Sequence, residues 1–393
     1  MQSFKDFTTN TKPRHNLHLD HVDETLFIGG DSGASDALDL LESPYFITQK
    51  FDGAPSIFCG TDPADGRFFV GTKSVFNKTP KLYKESWDII ENEPAGKATK
   101  LIEALKWLSQ LNIPSDTVLQ GDLLWTSGDH VYETYEGNRY VTVHPNTLVY
   151  GWLAESDAGK VVRNAQLGIV FHTTYRGQHS LQNYQATFGA NVDNLRQMRE
   201  VWVRDARYTA DFSLSESDAT RIEIARELIG GFDRIVENEK MIPSQMVGTS
   251  IKTYVNSFIR EGRDPSEMTI NDYRDFFAER YSQAISSLVS ESAIERRKVQ
   301  VRSFANQVSV DRDTYENAFE FVYLVQQLKS RILGELNKNN EQVIFVKTAN
   351  GLQEADTEGY VFVGHNGNGV KVVNREEFSH YNFSSDYVKG WQK

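Results

Sequence analysis

Residues 45–55 have the sequence YFITQKFDGAP, in which a short apolar run leads into a lysine and then into turn-forming residues. The run at 45–48 predicts a β-strand, which places Lys50 just past its end. Residues 56–59 and 67–70 are two further apolar runs, separated by the turn-rich TDPADG. This spacing is typical of a β-hairpin. The region around Lys50 is therefore predicted to be antiparallel β structure.

The pattern of the remaining chain predicts an α+β fold. A helix and several strands are predicted up to about residue 176, whereas residues 181–337 show the 3.6-residue apolar period of helices. Strand patterns return after residue 338. We therefore predict a first part of one domain at residues 1–180, a helical insertion at 181–337 and closing strands at 338–393.

Composition and charge limit the class of protein. The chain has 393 residues and a net charge of -12, which argues against a general basic surface for nucleic acid, so any such contact must be local. No apolar run is long enough to span a membrane and the N-terminus lacks a secretion signal, so we expect a cytoplasmic protein with no membrane partner. The single cysteine, Cys59, excludes an internal disulfide.

The KFDG segment at residues 50–53 carries the most specific chemistry. A free lysine has a pKa of about 10.4 and is not nucleophilic, so a reacting lysine needs a pocket that disfavours its charge. Asp52 would support the lysine or a bound nucleotide, and Gly53 would allow a tight turn beside the ligand. Four such residues are a weak signal alone, and their meaning depends on further motifs.

Five further segments follow in a fixed order: FVGTKS (69–74), LQGDL (119–123), TLVYG (147–151), EGYV (358–361) and GVKVV (369–373). With K-x-D-G, this ordered set resembles the superfamily of ATP-dependent DNA ligases, RNA ligases and mRNA capping enzymes. The resemblance implies a ligase-type nucleotidyltransferase domain of antiparallel sheets, here with a large helical insertion. We expect no C-terminal OB-fold, because too few residues follow Lys371.

The resemblance also implies roles for individual residues. Catalytic roles go to Lys50, Asp52 and Lys371; metal binding to Glu358 and Asp122; and nucleotide binding to Thr48, Gln49, Gly53, Lys73, Asp122, Tyr150 and Arg375. Lys50 would form a lysyl-AMP intermediate, Lys371 would contact the α-phosphate, and Tyr150 would stack on the base. Asp122 would hold the ribose or a metal-bound water. Thr48 and Gln49 could instead be ordinary polar residues at a strand end, and Lys73 an ordinary strand-end lysine.

The chain departs from the family pattern at two points. Residues 54–56 are APS, where most ligases have an arginine or asparagine near the ribose. Val373 stands where a second basic residue is usual after Lys371, and Arg375 is the candidate substitute. These departures favour a divergent, RNA-ligase-like member. The overall pattern also resembles uncharacterised proteins of tailed bacteriophages, which would place the protein in the host cytoplasm.

Two histidine-containing segments have open interpretations. His15, His18 and His21 with Asp20 and Asp23 match no defined metal-ligand spacing, and we expect an exposed polar loop. The strand-end segment containing His172 either lines a phosphate or nucleic acid path or is simply a satisfied end of a strand.

The sequence thus predicts an ATP-dependent nucleotidyltransferase that uses Mg²⁺, or Mn²⁺ in its place, and passes AMP to a 5′-phosphate of RNA or DNA. Two alternatives stay open: a nucleotide- or nucleic-acid-binding module without turnover, and a structural or assembly protein of a virus particle. ATP versus GTP, the nature of the acceptor and the oligomeric state are not determined.

Overall fold

Three β-sheets and a block of helices make up the part of the chain that the structure, a computed structural model, describes: residues 19–209, 211–242, 250–286 and 288–390. The strands are β1 (Phe46–Lys50), β2 (Ser56–Thr61), β3 (Phe68–Gly71), β4 (Thr117–Trp125), β5 (Val131–Tyr135), β6 (Asn138–Val143), β7 (Leu148–Leu153), β8 (Leu167–Arg176), β9 (Gln185–Phe188), β10 (Val201–Asp205), β11 (Val343–Thr348), β12 (Gly351–Glu354), β13 (Gly359–Val363) and β14 (Gly369–Val372). The α-helices are α1 (Leu26–Glu42), α2 (Ser86–Asn92), α3 (Ala95–Leu108), α4 (Asp157–Asn164), α5 (Glu216–Glu227), α6 (Phe232–Lys240), α7 (Ile251–Arg260), α8 (Ile270–Ser286), α9 (Glu291–Val310), α10 (Arg312–Asn337) and α11 (Arg375–Phe383). The predicted α+β class with antiparallel sheets is confirmed.

The sheets join segments that are far apart in the sequence. One sheet has the order β1-β13-β14, a second β10-β8-β4-β2-β3 with β9 also paired to β8, and a third β12-β11-β7-β6-β5. Every neighbouring pair is antiparallel except β8 and β10. Because β13 pairs with β1 and β11 pairs with β7, the helices α5–α10 lie between strands that share sheets.

The helical block packs on the β1-β13-β14 sheet. Ile47 of β1 and Phe362 of β13 belong to the same buried apolar cluster as Val322 and Leu328 of α10. The apolar period of α10 puts these side chains on one face of the helix, where burial stabilises the contact. The helices are thereby held against the strand that carries Lys50.

The helical segment begins later than predicted. The strands β9 and β10 lie inside residues 181–337 and pair with β8, so the first α-helix of this segment starts at Glu216. Both strands are short, and neither has the clear apolar alternation of a half-buried strand. Their backbone groups are satisfied by the long strand β8, a tertiary pairing that local sequence does not specify.

A second apolar cluster lies between the two larger sheets. It contains Phe51, Trp125 of β4, and Tyr150 and Trp152 of β7. The first five residues of β7 are all buried, so side chains on both faces of this strand pack inside the protein. In the described residues, no helix is long and apolar enough to cross a membrane.

Candidate active site

Lys50 and Glu358 form the central contact of the site. Lys50 is the last residue of β1 and lies opposite Gly359, the first residue of β13. Glu358 directly precedes β13, and its Oε1 lies 2.8 Å from Lys50 Nζ. Gly359 has φ 138°, and a Cβ there would lie 2.5 Å from the carbonyl oxygen of Val372. The glycine therefore allows the close approach of β14 that places Glu358 beside Lys50.

Lys371 adds a second cation on the same sheet. It lies in β14 opposite Val361, one strand beyond β13. Burial lowers the pKa of its ammonium group, and the charge of Lys50 lowers it further. For Lys50, burial alone would lower the pKa, but the ion pair with Glu358 outweighs it and the pKa is raised. In the described chain, Lys50 is thus a paired, protonated cation next to a second, partly buried one.

Asp122 and His172 face this pair from the second sheet. Asp122 is in β4 and His172 in the adjacent β8, and His172 Nε2 lies 3.7 Å from Asp122 Oδ2. Burial raises the pKa of Asp122 to about 7, although Lys50 acts in the opposite direction. Burial, and then Lys50, lower the pKa of His172 to about 4. At neutral pH the histidine is neutral, and Asp122 holds its proton to a much higher pH than a free aspartate.

These residues line one cavity of about 120 Å³ between the sheets. Its polar lining includes Thr48 and Gln49 as well as Lys50, Lys371, Asp122 and His172. Its apolar lining is Leu19, Phe51, Val170, Phe188, Ala206 and Val361. The cavity therefore has a charged wall and an apolar wall, as expected for a ligand with an apolar ring and an anionic group.

A second, more polar cavity of about 270 Å³ adjoins the first at Lys50. It shares Lys50 and Lys371 with the first cavity and also contains Glu358. Its remaining lining is His21, Ile259, Arg260, Val373, Arg375, Phe378 and Ser379. Arg260 and Ile259 come from α7 in the helical segment, so that segment contributes to the surroundings of Lys50.

Asp52 contacts the backbone rather than facing the cavity. Its carboxylate accepts hydrogen bonds from the side-chain amide of Asn146 (2.6 Å) and from the backbone N–H groups of Thr147 (2.7 Å) and Leu148 (2.9 Å). The carboxylate thus fixes the start of β7 against the KFDG turn. Gly53 is required by space, because a Cβ there would lie 2.7 Å from Asp122 Cβ.

Tyr150 is placed differently from the expectation that it stacks on a base. Its side chain is fully buried, and its ring packs against Phe51 with centroids 5.6 Å apart. The backbone N–H of Asp52 donates a hydrogen bond to Tyr150 Oη at 2.6 Å. Because β7 is buried on both faces, the ring belongs to the core. Phe188 is the half-buried aromatic ring that reaches the cavity instead.

Lys73 and Arg375 also differ from their predicted roles. Lys73 begins the short 3₁₀ helix Lys73–Phe76, is exposed, and lines neither cavity around Lys50. Arg375 does reach the second cavity, but its guanidinium is paired with Asp23 at 3.0 Å and Glu24 at 2.9 Å. Its charge is therefore already compensated by the protein.

The expected exposed loop around His21 is wrong for the residues that the structure describes. Asp23 is fully buried and forms an ion pair of 2.7 Å with Lys329 of α10, in addition to its contact with Arg375. The backbone of His21 bridges to Lys371, and Lys371 N–H donates to the carbonyl of Asp20. Distant partners bury this charged segment, which its local polarity does not indicate. His15 and His18 lie outside the described residues.

Nearly the whole length of the chain matches one known protein family. Residues 16–387 match DUF6267, a family of unknown function. The chain belongs to this family. No match was found among curated proteins or among solved structures.

The carboxylates of this DUF6267 protein limit how it can hold a metal. Among the described residues, no group of three or more histidine, cysteine, aspartate or glutamate side chains is arranged around a metal position. Glu358 and Asp122 are the carboxylates that line the two cavities. Mg²⁺ keeps several waters and is commonly bound by one or two carboxylates together with substrate phosphates. The donor set therefore fits a cation that arrives with a triphosphate.

Phe188, Arg260 and His21 are among the residues that line the two cavities of this DUF6267 protein but were not predicted from the sequence as site residues. Phe188 lies in a strand that sequence patterns did not predict, and Arg260 is an ordinary basic residue at a helix C-terminus. His21 had a local signal, its place in a charged segment, but the partners of that segment are distant in sequence. Lys371 of β14 bridges to His21, and Lys329 of α10 and Arg375 of α11 pair with the nearby Asp23. The structure also places His172 in the lining of the first cavity.

Proposed function

We propose that the protein is a covalent nucleotidyltransferase of the ligase type, in which Lys50 Nζ attacks the α-phosphate of ATP delivered as its Mg²⁺ or Mn²⁺ complex. One observation carries the proposal: Lys50 of β1, Lys371 of β14, Asp122 of β4 and Glu358, which directly precedes β13, converge on adjoining cavities. The sequence separation of these residues makes an accidental collection of strand-end charges a poor explanation.

The first cavity suits the nucleoside half of the substrate. Its apolar wall includes Phe51 and Phe188, and an aromatic ring with an open face can stack on a base. Gln49 lies beside it with Nε2 donating to Asn340 Oδ1 at 3.2 Å, which holds the amide in a fixed orientation. Lys50 and Lys371 mark the boundary where an α-phosphate would be neutralised.

Attack requires that Lys50 lose the proton that Glu358 holds on it. Glu358 would help to hold a divalent cation delivered with the triphosphate, which would weaken its ion pair with Lys50. Lys371 adds a positive charge that disfavours a second ammonium group. The lysine nitrogen then forms a bond to the α-phosphorus, and the bond from that phosphorus to the bridging oxygen of the β-phosphate breaks. Pyrophosphate leaves with the electron pair. Lys50 loses one proton before the attack and a second from its nitrogen once the new bond has formed, and both protons pass to solvent.

The second half-reaction transfers AMP to an acceptor, for which we propose a 5′-phosphate of RNA or DNA. An acceptor phosphate oxygen attacks the same phosphorus, and the bond to Lys50 breaks. Local cations at Lys371 and Arg260 would attract such an anion even though the net charge of the protein is -12.

The proposal is tested by incubation of the full chain with ATP labelled at the α-phosphate, followed by denaturation and detection of protein-bound label. Wild type should carry label in the presence of Mg²⁺, and Lys50→Ala should carry none. Lys78→Ala is the matched control, because Lys78 is exposed and lines neither cavity. A labelled Lys50→Ala protein would refute the assignment. Tight ATP binding without label in wild type would favour the binding-module alternative.

A further inference from the structure

The second cavity is a candidate binding site for part of the substrate. We infer that this cavity binds the terminal phosphates of the triphosphate and then pyrophosphate, and that Arg260 of the helical segment supplies a cation for them. The inference rests on the proposed function only for the identity of the ligand. It also assigns a role to the helical segment, because Arg260 of that segment would contact the ligand directly.

The charges that line the cavity favour an anion. Four cationic residues reach it, Lys50, Arg260, Lys371 and Arg375, against one carboxylate, Glu358. Glu358 compensates Lys50, and Arg375 is held by Asp23 and Glu24. Among the described residues, neither Lys371 nor Arg260 forms an ion pair within 4.0 Å. These two cations on opposite elements, a strand and a helix, are therefore available to a polyphosphate.

His21 adds a neutral hydrogen-bonding group. Its Nδ1 is buried and has no hydrogen-bond partner among the described residues. Burial lowers the pKa of His21 to about 2, with Arg375, Lys329 and Lys371 acting in the same direction against Asp23. A buried polar atom without a partner is costly, and a neutral imidazole can donate to a phosphate oxygen. A bound polyphosphate would satisfy this nitrogen.

The fold holds Arg260 at the cavity. Arg260 is the last residue of α7, and α7 packs against α11, which supplies Phe378 and Ser379 to the same lining. The turn after α7 also lies beside α11, because a Cβ on Gly262 would be at van der Waals distance, 3.5 Å, from Glu376 Oε1. The end of α7 thus lies at a space that is also lined by Lys50 at the end of β1, Glu358 just before β13, Lys371 of β14 and residues of α11.

The chain offers a matched control three residues away. The Arg263 guanidinium lies over the ring of Phe258, 3.8 Å from its centroid, and Arg263 does not line the cavity. Arg263→Ala therefore removes the same charge from the same end of α7 without removing a group from the site. A general electrostatic effect would change with both variants, whereas a specific contact would change with Arg260 alone.

The test measures binding of inorganic pyrophosphate and of AMP to the full chain by isothermal titration calorimetry, with wild type, Arg260→Ala, Arg260→Lys and Arg263→Ala. Arg260→Ala should weaken pyrophosphate binding at least tenfold, Arg260→Lys should retain part of it, and Arg263→Ala should stay within twofold of wild type. AMP affinity should stay within twofold in all variants, which also shows that each is folded.

Equal pyrophosphate affinity for wild type and Arg260→Ala, equal losses for Arg260→Ala and Arg263→Ala, or no pyrophosphate binding by wild type would each overturn the inference. The outcome is separable from that of the proposed function. Arg260-dependent pyrophosphate binding without label on Lys50 would support the anion site and contradict the proposed transferase activity. Label on Lys50 together with unchanged pyrophosphate binding in Arg260→Ala would support the transferase activity and contradict this anion site.

Discussion

Glu358 Oε1 lies 2.8 Å from Lys50 Nζ, so the residue proposed as nucleophile is held as a paired cation when no substrate is bound. The pairing raises the Lys50 pKa although burial acts in the opposite direction. This contact bears on the protonation of Lys50 both without and with bound substrate. In the proposed reaction, Glu358 would keep Lys50 protonated and unreactive in the free protein, and a cation that enters with the substrate would weaken this ion pair.

Glu358→Gln should make Lys50 more reactive towards a simple acylating reagent. Removal of the carboxylate charge lets burial and Lys371 lower the Lys50 pKa, so a larger fraction is unprotonated at pH 8. A fall of one pKa unit corresponds to about tenfold more reactivity. Competitive labelling with acetic anhydride, read by peptide mass spectrometry across a pH series, measures this. Glu354→Gln, at an exposed acid in β12, is the control. Unchanged Lys50 labelling in Glu358→Gln would show that the ion pair does not control its protonation.

Asp52→Asn should lower stability more than it affects the cavity. The Asp52 carboxylate accepts three hydrogen bonds, two of them from backbone N–H groups at the start of β7. The amide of an asparagine has one oxygen that can accept hydrogen bonds, and its NH₂ group would face donors that now bond to the second carboxylate oxygen. We therefore expect a loss of about 2–4 kcal/mol in the free energy of unfolding. Urea denaturation measures the loss. Asp275→Asn, at an exposed position in α8, should change it by no more than about 0.5 kcal/mol. A stable Asp52→Asn protein without lysyl-AMP formation would instead favour a catalytic role.

Phe188→Ala should weaken nucleotide binding, whereas Tyr150→Phe should not. Phe188 lines the cavity, and loss of a ring stacked on a base typically costs about 1–3 kcal/mol, or roughly tenfold or more in affinity. Tyr150→Phe removes the acceptor of the Asp52 N–H bond and should lower stability by about 1–3 kcal/mol. Calorimetric titration with ATP and urea denaturation distinguish the two variants. Unchanged ATP affinity in Phe188→Ala would show that Phe188 does not stack on the base.

The stability of wild type should depend on pH through Asp122. Its folded pKa of about 7 lies above the unfolded value near 3.9, so the folded state binds an extra proton between these pH values. The resulting stabilisation is present below pH 4 and is lost as the pH rises to about 7. The difference in the free energy of unfolding between Asp122→Asn and wild type should therefore shift in favour of the variant by on the order of 1–3 kcal/mol from pH 4 to pH 8. This range allows for the partial exposure of Asp122.

Urea denaturation at pH 4, 6 and 8 measures the difference between the two proteins. Asp157→Asn, which alters a fully exposed carboxylate on α4, provides the reference. A difference between Asp122→Asn and wild type that stays constant over this range would contradict the raised pKa of Asp122.

The sequence predicted the strands and residues that are defined by short, ordered motifs. Lys50 at the end of β1 and Glu358 before β13 are brought together by strand pairing, whose register places Lys50 opposite Gly359. The next antiparallel pairing then puts Lys371 opposite Val361. Short apolar runs specify such strands locally, and glycines stand at the first positions of β13 and β14.

Residues whose role depends on packing between distant elements could not be predicted. Tyr150 has the same local pattern whether it faces a cavity or a core, and stacking of two sheets decides in favour of the core. Arg375 appears free in the sequence, but Asp23 and Glu24 lie about 350 residues earlier and neutralise it. Arg260 reaches the second cavity only because α7 packs on α11.

The most direct test of the central claim is peptide-level mass spectrometry of the full chain after incubation with ATP and Mg²⁺. The account predicts an increment of one nucleoside monophosphate on the peptide that contains Lys50, and its loss when excess pyrophosphate is added to reverse the reaction. An adduct on another lysine, or no adduct on a protein that binds ATP, would contradict the account.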